Sequence, residues 1–485
     1  MSTKNCKVRF APSPTGFLHI GGLRTALYNY LFAKNNNGKI ILRIEDTDRN
    51  RFVDGAVDNL LETLHWAGLT FDEGPETGGD SSPYFQSERL EKYKKYADEL
   101  ISKGMAYYCF CTPERLKTLK EKQQKEKLPQ TKYDKLCLNL SKNEIGEKLN
   151  SDVAKVVRLN VNQDQQIFID DVIKGQVEFN SNNIDDQVLI KSDGFPTYHL
   201  ANVVDDYLMG VTHVIRGEEW LSSTPKHLLL YEYLGWEKPV FAHLPLLLNP
   251  DKSKLSKRQG DVAVEDYMKK GYLKEALINF VALLGWNPGD EQEFFTMEEL
   301  VNKFSLERVH KAGAVFNIEK LNWLNAEHLR SKPNDELLLM LKDELSKSDY
   351  KNKVFDDDYL LLVIEAMKPR VSFVNEFITK CPYFYTEPTE YDEKVLKKRW
   401  KEDSHDLLKK LRDNFAELTN PLKEDYERAL QKTALEMNVG NGTLIHPLRI
   451  SISGMGEGPG VYDIVVIIGK DETIKRIDRA IEKLK

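Results

Sequence analysis

Apolar and polar positions alternate at the start of the chain. Lys7-Val8-Arg9-Phe10-Ala11 has the period of two that marks a short strand, and Pro12-Ser13-Pro14-Thr15-Gly16 breaks it into a loop. The period then becomes helical, with Leu23, Ala26, Leu27, Tyr30 and Leu31 on one face, and Gly38 marks the turn into a second strand over 39–44. Strand, loop, helix, strand favours a parallel sheet with a crossover helix, and it puts the first loop where such sheets take ligands. From about 90 to 122 the pattern is helical and charged; from 153 to 190 it becomes short strands separated by Gly and Asn turns. Parallel-sheet patterning returns at Thr212-His213-Val214-Ile215-Arg216 and Leu244-Pro245-Leu246-Leu247-Leu248, so one α/β fold is split by an α+β insertion. After Asp261 the chain reads as almost entirely helical. Leu273, Leu277, Phe280, Val281 and Leu284 form one apolar stripe, and 359–367 and 406–418 continue it. The polar stretch Lys332-Pro333-Asn334 marks a boundary.

Size and composition narrow the picture. A chain of 485 residues is too long for one core and implies roughly three to five folding units. With 41% hydrophobic and 30% charged residues it has the composition of a globular protein. Met1-Ser2-Thr3-Lys4-Asn5-Cys6 lacks the apolar core of a signal peptide, and no apolar run reaches membrane-spanning length, so a cytoplasmic protein without a membrane partner is expected. The five cysteines are scattered and odd in number, which argues against a disulfide framework. A net charge of −7 gives no general support for nucleic-acid binding, but 114–142 carries nine Lys/Arg against four Asp/Glu, either a solvated helical face or a local basic patch.

Two segments carry candidate chemistry. His19-Ile20-Gly21-Gly22 lies where a loop hands over to a helix, so backbone N–H groups and the positive helix end can face an anion. Gly21 and Gly22 allow close approach of a nucleotide, and His19 adds a donor for charge on transferring phosphates. Lys254-Leu255-Ser256-Lys257-Arg258 offers three cations around a hydroxyl, which suits a basic loop that neutralises a triphosphate. Either segment alone could be plain turn chemistry or a solvated charge run.

Together and in this order, the two segments resemble the HIGH and KMSKS signatures of class I aminoacyl-tRNA synthetases. Arg9-Phe10-Ala11-Pro12-Ser13-Pro14-Thr15-Gly16 and Arg43-Ile44-Glu45-Asp46-Thr47-Asp48 resemble the glutamyl and glutaminyl branch. The similarity continues through Pro196-Thr197-Tyr198-His199 and Val214-Ile215-Arg216-Gly217-Glu218-Glu219-Trp220. The resemblance implies activation of L-glutamate with ATP and Mg, followed by transfer to the 3′-terminal adenosine of tRNA(Glu). It gives catalytic roles to His19, Lys254 and Lys257, and ATP contacts to His19, Gly21, Gly22, Lys254, Ser256, Lys257 and Arg258. Glutamate presents two carboxylates and one ammonium, so its pocket needs cations, an acid and orienting polar groups. Arg9 and Arg216 are the candidates for carboxylate pairing and Glu45 for the ammonium; Ser13, Tyr198 and Asn202 would hydrogen-bond, beside Ala11 and a Trp220 wall. The plain alternative is that Arg9 and Glu45, on neighbouring strands, pair with each other.

Cys109, Cys111 and Cys137 resemble part of a zinc insert found in some family members, whose pattern ends in Cys-x-His. Asn139 stands at the histidine place, so a site would need Tyr133 or another group as its fourth ligand. The expected layout is a Rossmann-type catalytic domain in halves 1–91 and 201–262, an acceptor-end-binding insertion 92–200, a helical junction 263–333, and all-α anticodon-binding subdomains 334–390 and 391–485. The helical C-terminal half resembles that of the bacterial glutamyl branch, and Met367-Lys368-Pro369-Arg370 resembles its anticodon-reading segment, with Arg370 as the candidate reader. A monomer is expected. Two rival readings are a noncatalytic RNA-binding protein, disfavoured by the intact signatures, and a small-molecule nucleotidyltransferase, for which the helical half is surplus.

Overall fold

The computed structural model describes residues 6–255 and 263–484. They form two compact units: the chain through Lys270 together with Leu277–Ile318, and Gly271–Ala276 together with the chain from Glu319 onward.

In the first unit, β1 (Lys7–Phe10) pairs in parallel with β2 (Lys39–Leu42), and the helix Ile20–Asn35 crosses between them. Val8, Phe10, Ile40 and Ile41 are all buried, as expected of a strand pair covered on both faces. The second strand stops two residues before the sequence pattern predicts. Ile44 turns instead to a single bridge with Phe85.

The insertion opens with the helix Leu90–Ser102 and β3 (Ala106–Cys109), which pairs antiparallel with β4 (Val156–Leu159). The hairpin β5 (Gln166–Asp171) and β6 (Gly175–Asn180) follows, and β7 (Val188–Ile190) returns to pair with β4. The helix Tyr198–Leu208 then leads into β8 (His213–Gly217), the helix Thr224–Leu234 and β9 (Val240–Leu244), with β8 and β9 parallel. The amide of Thr212 donates to the Lys7 carbonyl (2.8 Å), which brings the start of β8 against β1.

One feature departs from a clean insertion within 92–200. Asp171 pairs in parallel with Phe241, so the β5–β6 hairpin extends the sheet of β9 and β8 in the order β6-β5-β9-β8. The apolar run expected as a strand at 244–248 is two strands: Pro245 supplies no N–H, β9 ends before it, and β10 (Leu247–Leu248) begins after it. β10 pairs in parallel with β11 (Ala314–Val315), a short strand in a stretch whose pattern reads as helical.

In the second unit every regular element described is helical, from Glu319 in the helix Ile318–Ser331 to Lys470–Lys483. The predicted stretches at 359–367 and 406–418 form the helices Asp357–Met367 and Ser404–Ala416. Leu341, Val363, Phe377, Leu411, Phe415, Leu448 and Ile464 belong to its apolar core. The α/β catalytic fold with an inserted α+β segment and an all-α C-terminal part is thus as the sequence pattern predicts.

Candidate active site

A cavity of about 840 Å³ lies in the first unit. It is lined by the 9–25 segment, by Glu45, by Tyr198 and Asn202, by Arg216 to Trp220, and by Lys254 and Leu255. Arg9, Ala11, Ser13, His19, Gly21, Gly22, Glu45, Tyr198, Asn202, Arg216, Trp220 and Lys254 therefore share one cavity. Ser256, Lys257 and Arg258 lie outside the described residues, and Arg370 lies in the other unit.

His19 is the N-cap of the helix Ile20–Asn35, and its Nδ1 accepts the Gly22 amide at 3.1 Å. An imidazole nitrogen that accepts carries no proton, so in the neutral ring Nε2 holds it and is the donor side. The glycines give the room this cap requires. A Cβ on Gly22 would stand 2.7 Å from Leu18 Cδ1, and one on Gly21 would stand 3.0 Å from the His19 ring. Two backbone bonds place the described residues on either side of 256–262 here: Leu255 donates to Leu247 (2.9 Å) and Val264 to Leu18 (2.9 Å), beside the His19 bridge to Ala263.

Beneath the cavity lies a buried ionic network. Arg9 Nε donates to Asp206 Oδ1 at 3.1 Å, and Arg43 donates to the same carboxylate at 2.8 Å. Arg43 also donates to Glu45 at 3.0 Å. Arg9 and Glu45 therefore do not pair with each other directly; Arg43 and Asp206 stand between them, two cations against two anions. Asp205, the neighbour of Asp206, accepts from Arg89 (2.7 Å), Gln86 (2.9 Å) and Tyr93 (2.8 Å). Burial pushes the Glu45 carboxyl above its ordinary range, and Arg43 opposes that shift. An ammonium brought beside it would favour the carboxylate further.

Arg216 is surrounded differently. Its Nε donates to His243 Nε2 (3.1 Å), Nη1 to Tyr198 Oη (3.1 Å) and His227 Nδ1 (3.2 Å), and Nη2 to Thr224 Oγ1 (2.9 Å). None of these partners is a carboxylate. Arg216 is thus a buried cation at the cavity wall whose charge no hydrogen-bonded anion among the described residues offsets, an expensive arrangement unless an anionic ligand completes it. Asn202 is buried, and its Nδ2 has no hydrogen-bond partner among the described residues. Tyr198 packs against Trp220 with ring centroids 4.1 Å apart and planes tilted by 34°, and burial raises the Tyr198 pKa, so its hydroxyl remains protonated.

A second cluster lies in the insertion. The Sγ atoms of Cys109, Cys111 and Cys137 all fall within 4.8 Å of one another, with Cys111 and Cys137 3.6 Å apart. Tyr133 Oη lies 3.3 Å from Cys111 Sγ, while Asn139 is exposed. Zinc–thiolate bonds of about 2.3 Å put tetrahedral sulfurs roughly 3.8 Å apart, so the three thiols are spaced for such an ion, whereas burial keeps the adjacent Tyr133 hydroxyl protonated and it already accepts the Cys137 amide at 3.0 Å.

The network contains groups to which the sequence reading gave no role: Arg43, Asp206, His227, His243, Thr224 and Asp171. The adjacent carboxylates Asp205-Asp206, directly after the apolar pair Val203-Val204, were the available signal, because charges in such surroundings need partners.

Residues 5–323 match the family "tRNA synthetases class I (E and Q), catalytic domain", and 336–481 match "Anticodon binding domain". The chain belongs to the class I tRNA synthetases of the E and Q group. Over the whole chain it is 54% identical to a glutamate–tRNA ligase of Chloroherpeton thalassium, covering 100% of this chain and 99% of that one. It is 52% identical to the glutamate–tRNA ligase of Chlorobium phaeobacteroides, covering 99% of each. The crystal structure of a glutamate tRNA ligase from Elizabethkingia meningosepticum in complex with its amino acid superposes with a TM-score of 0.95 at 40% identity, covering 99% of this chain and 100% of that one. Glutamate–tRNA ligation is the activity that this membership and these full-length relatives give the chain.

Proposed function

We propose that the cavity binds L-glutamate and ATP together, and that Arg216 selects the substrate by its carboxylate. The observation that carries this reading is the unbalanced charge of Arg216 at the cavity wall, beside the unpartnered Nδ2 of Asn202. The side-chain carboxylate of glutamate restores the balance at Arg216 and the side-chain amide of glutamine does not, because a neutral amide there leaves the buried cation uncompensated. Arg9, held by Asp206, pairs with the second carboxylate; Glu45 takes the ammonium; Ser13, Ala11 and Tyr198 orient the chain of the substrate, and Trp220 walls it in.

ATP enters as its Mg complex, the metal travelling with the nucleotide as part of the substrate. Its adenine and phosphates lie along His19, Gly21 and Gly22. The α-carboxylate of glutamate attacks the α-phosphorus, and the bond to the departing pyrophosphate breaks. His19 Nε2–H and the cations Lys254, Lys257 and Arg258, with the Ser256 hydroxyl, stabilise charge that develops on the phosphates, so no covalent protein nucleophile is required. Glutamyl-adenylate then passes its glutamyl group to the terminal adenosine of tRNA(Glu). Residues 92–200 receive the acceptor end, and the region from 334 onward receives the anticodon, where Arg370 is the reader. Arg370 Nε donates to the Gly458 carbonyl (3.1 Å), which fixes the guanidinium; unaltered selectivity among tRNAs in Arg370→Gln would remove this role.

Cys109, Cys111 and Cys137 would give three thiolates to a structural zinc ion that ties β3 to the 133–137 turn, with Tyr133 or another group as the fourth ligand, and about one zinc per chain in metal analysis of purified protein is the expected result.

The pocket assignment is tested by glutamate charging kinetics. Arg216→Ala should lower kcat/KM for glutamate about a hundredfold or more, and His19→Ala should lower adenylation by a similar factor with little change in glutamate KM. If Arg9→Ala and Arg216→Ala both left glutamate kinetics unchanged, the pocket would be wrongly placed.

A further inference from the structure

We propose that His243 is a positioning residue for substrate recognition: with Asp171 behind it, it fixes the guanidinium plane of Arg216 so that a single N–H is presented to the substrate carboxylate. The inference rests on the reading that Arg216 binds that carboxylate.

A guanidinium has five N–H donors and no acceptor. Four of those of Arg216 are committed to His243, Tyr198, His227 and Thr224. The second hydrogen on Nη2 has no partner among the described residues and is the donor left for a ligand. Because Arg216 can only donate, His243 Nε2 must accept. The proton of the neutral ring then sits on Nδ1 and points at Asp171 Oδ2, 2.6 Å away. The same logic makes His227 Nδ1 an acceptor and places its proton on Nε2, toward His199 Nδ1 at 3.1 Å. Arg216 is thus held between two neutral imidazoles, an arrangement that fixes its direction without cancelling its charge.

Asp171 is itself immobilised. The backbone amides of Ile173 (3.0 Å) and Lys174 (2.8 Å) donate to Oδ1, and that of His243 donates to Oδ2 (3.1 Å). Its carboxylate, at the end of β5, therefore locks the His243 tautomer in the way a buried acid orients a catalytic histidine. An acid paired directly with Arg216 would give equal rigidity but would neutralise the cation that the substrate must meet. The intervening imidazole separates the two functions.

Two near-isosteric variants divide the ring's two nitrogens. His243→Gln places an amide oxygen close to where Nε2 stands and can still accept from Arg216. His243→Asn reaches only the place of Nδ1, keeps the bond to Asp171 and loses Arg216. Steady-state aminoacylation of tRNA(Glu) is measured for both variants and for Arg216→Ala, with glutamate and ATP varied separately and melting temperatures recorded. The loss of one charge-assisted hydrogen bond should raise glutamate KM about tenfold or more in His243→Asn, with ATP KM and melting temperature close to those of His243→Gln, which recovers most of the affinity. Equal glutamate KM in the two variants, or an equal rise in both KM values, would overturn the positioning role. If Arg216→Ala itself leaves glutamate KM unchanged, the carboxylate reading fails; if it raises that KM and His243→Asn does not, only the positioning role fails.

Discussion

The catalytic unit and the helical unit bury different kinds of side chain. Arg9, Arg43, Glu45, Arg89, Asp171, Asp205, Asp206 and Arg216 are all buried in the first, whereas in the second the buried ion among the described residues is Arg476, which spans Glu472 and the carbonyls of Tyr383 and Ile452. Buried ion pairs contribute little net stability compared with apolar packing of the same volume, so the buried charges that line the cavity, Arg9, Glu45 and Arg216, are not accounted for by packing. The helical unit builds its core from Leu, Ile, Val and Phe, and Arg370 is exposed at its surface.

The contrast is broken most forcefully at Asp206. Asp206→Ala leaves Arg9 and Arg43 facing each other without their shared anion, and should destabilise the catalytic unit by about 3–5 kcal/mol as well as abolish glutamate activation. Hydrogen exchange followed by mass spectrometry should show the loss confined to that unit. Equal loss in both units would mean that their stabilities are not separable.

Leu411→Ala is the counterpart in the helical core. Its side chain is fully buried, and truncation should cost about 2–5 kcal/mol there, with adenylate formation unchanged. The same exchange measurement reports it.

Mild acid gives the smallest effect and sharpens the contrast. Burial lowers the pKa of His199 to about 4, and lowers those of His213, His227 and His243, in the catalytic unit. The helical unit has His328, also lowered to about 4, and the half-buried His446. These rings stay neutral when folded, while in the unfolded chain they take up protons from about pH 6.5 downward. Their contribution is therefore complete above that pH and is lost as pH falls below it, for His199 and His328 as it nears about 4. Between pH 7 and 5.5 the catalytic unit should lose protection faster than the helical one; equal losses would show that these histidines do not govern the difference.

Much of this was legible in the chain. The period of two before Pro12, the helical stripe from Leu23 and the long helical half follow from local patterning, and the site residues that come together around the cavity lie in motifs readable by order. Three things were not legible. Pro245 divides an apolar run that reads as one strand. The partner of Arg9 is Asp206, 197 positions away, and no local pattern specifies a pairing across that distance. Asp171 looks like an ordinary polar residue of a turn-flanked strand, and its bond to His243 appears only once β5 lies beside β9. Sequence periodicity records which face of an element is wet; it does not record which distant charge will meet another.

The hairpin of β5 and β6 has a consequence for anyone who would treat the inserted segment as a cassette. Its strands lie inside 92–200, yet the end of β5 pairs with β9 at Phe241 and delivers Asp171 to His243, behind Arg216. Excising or exchanging the whole insertion would uncover part of the edge of β9, and would remove Asp171 from behind His243 and Arg216 in the same cut. A graft that preserves the host's chemistry must leave this hairpin with the host and take its borders on either side of it.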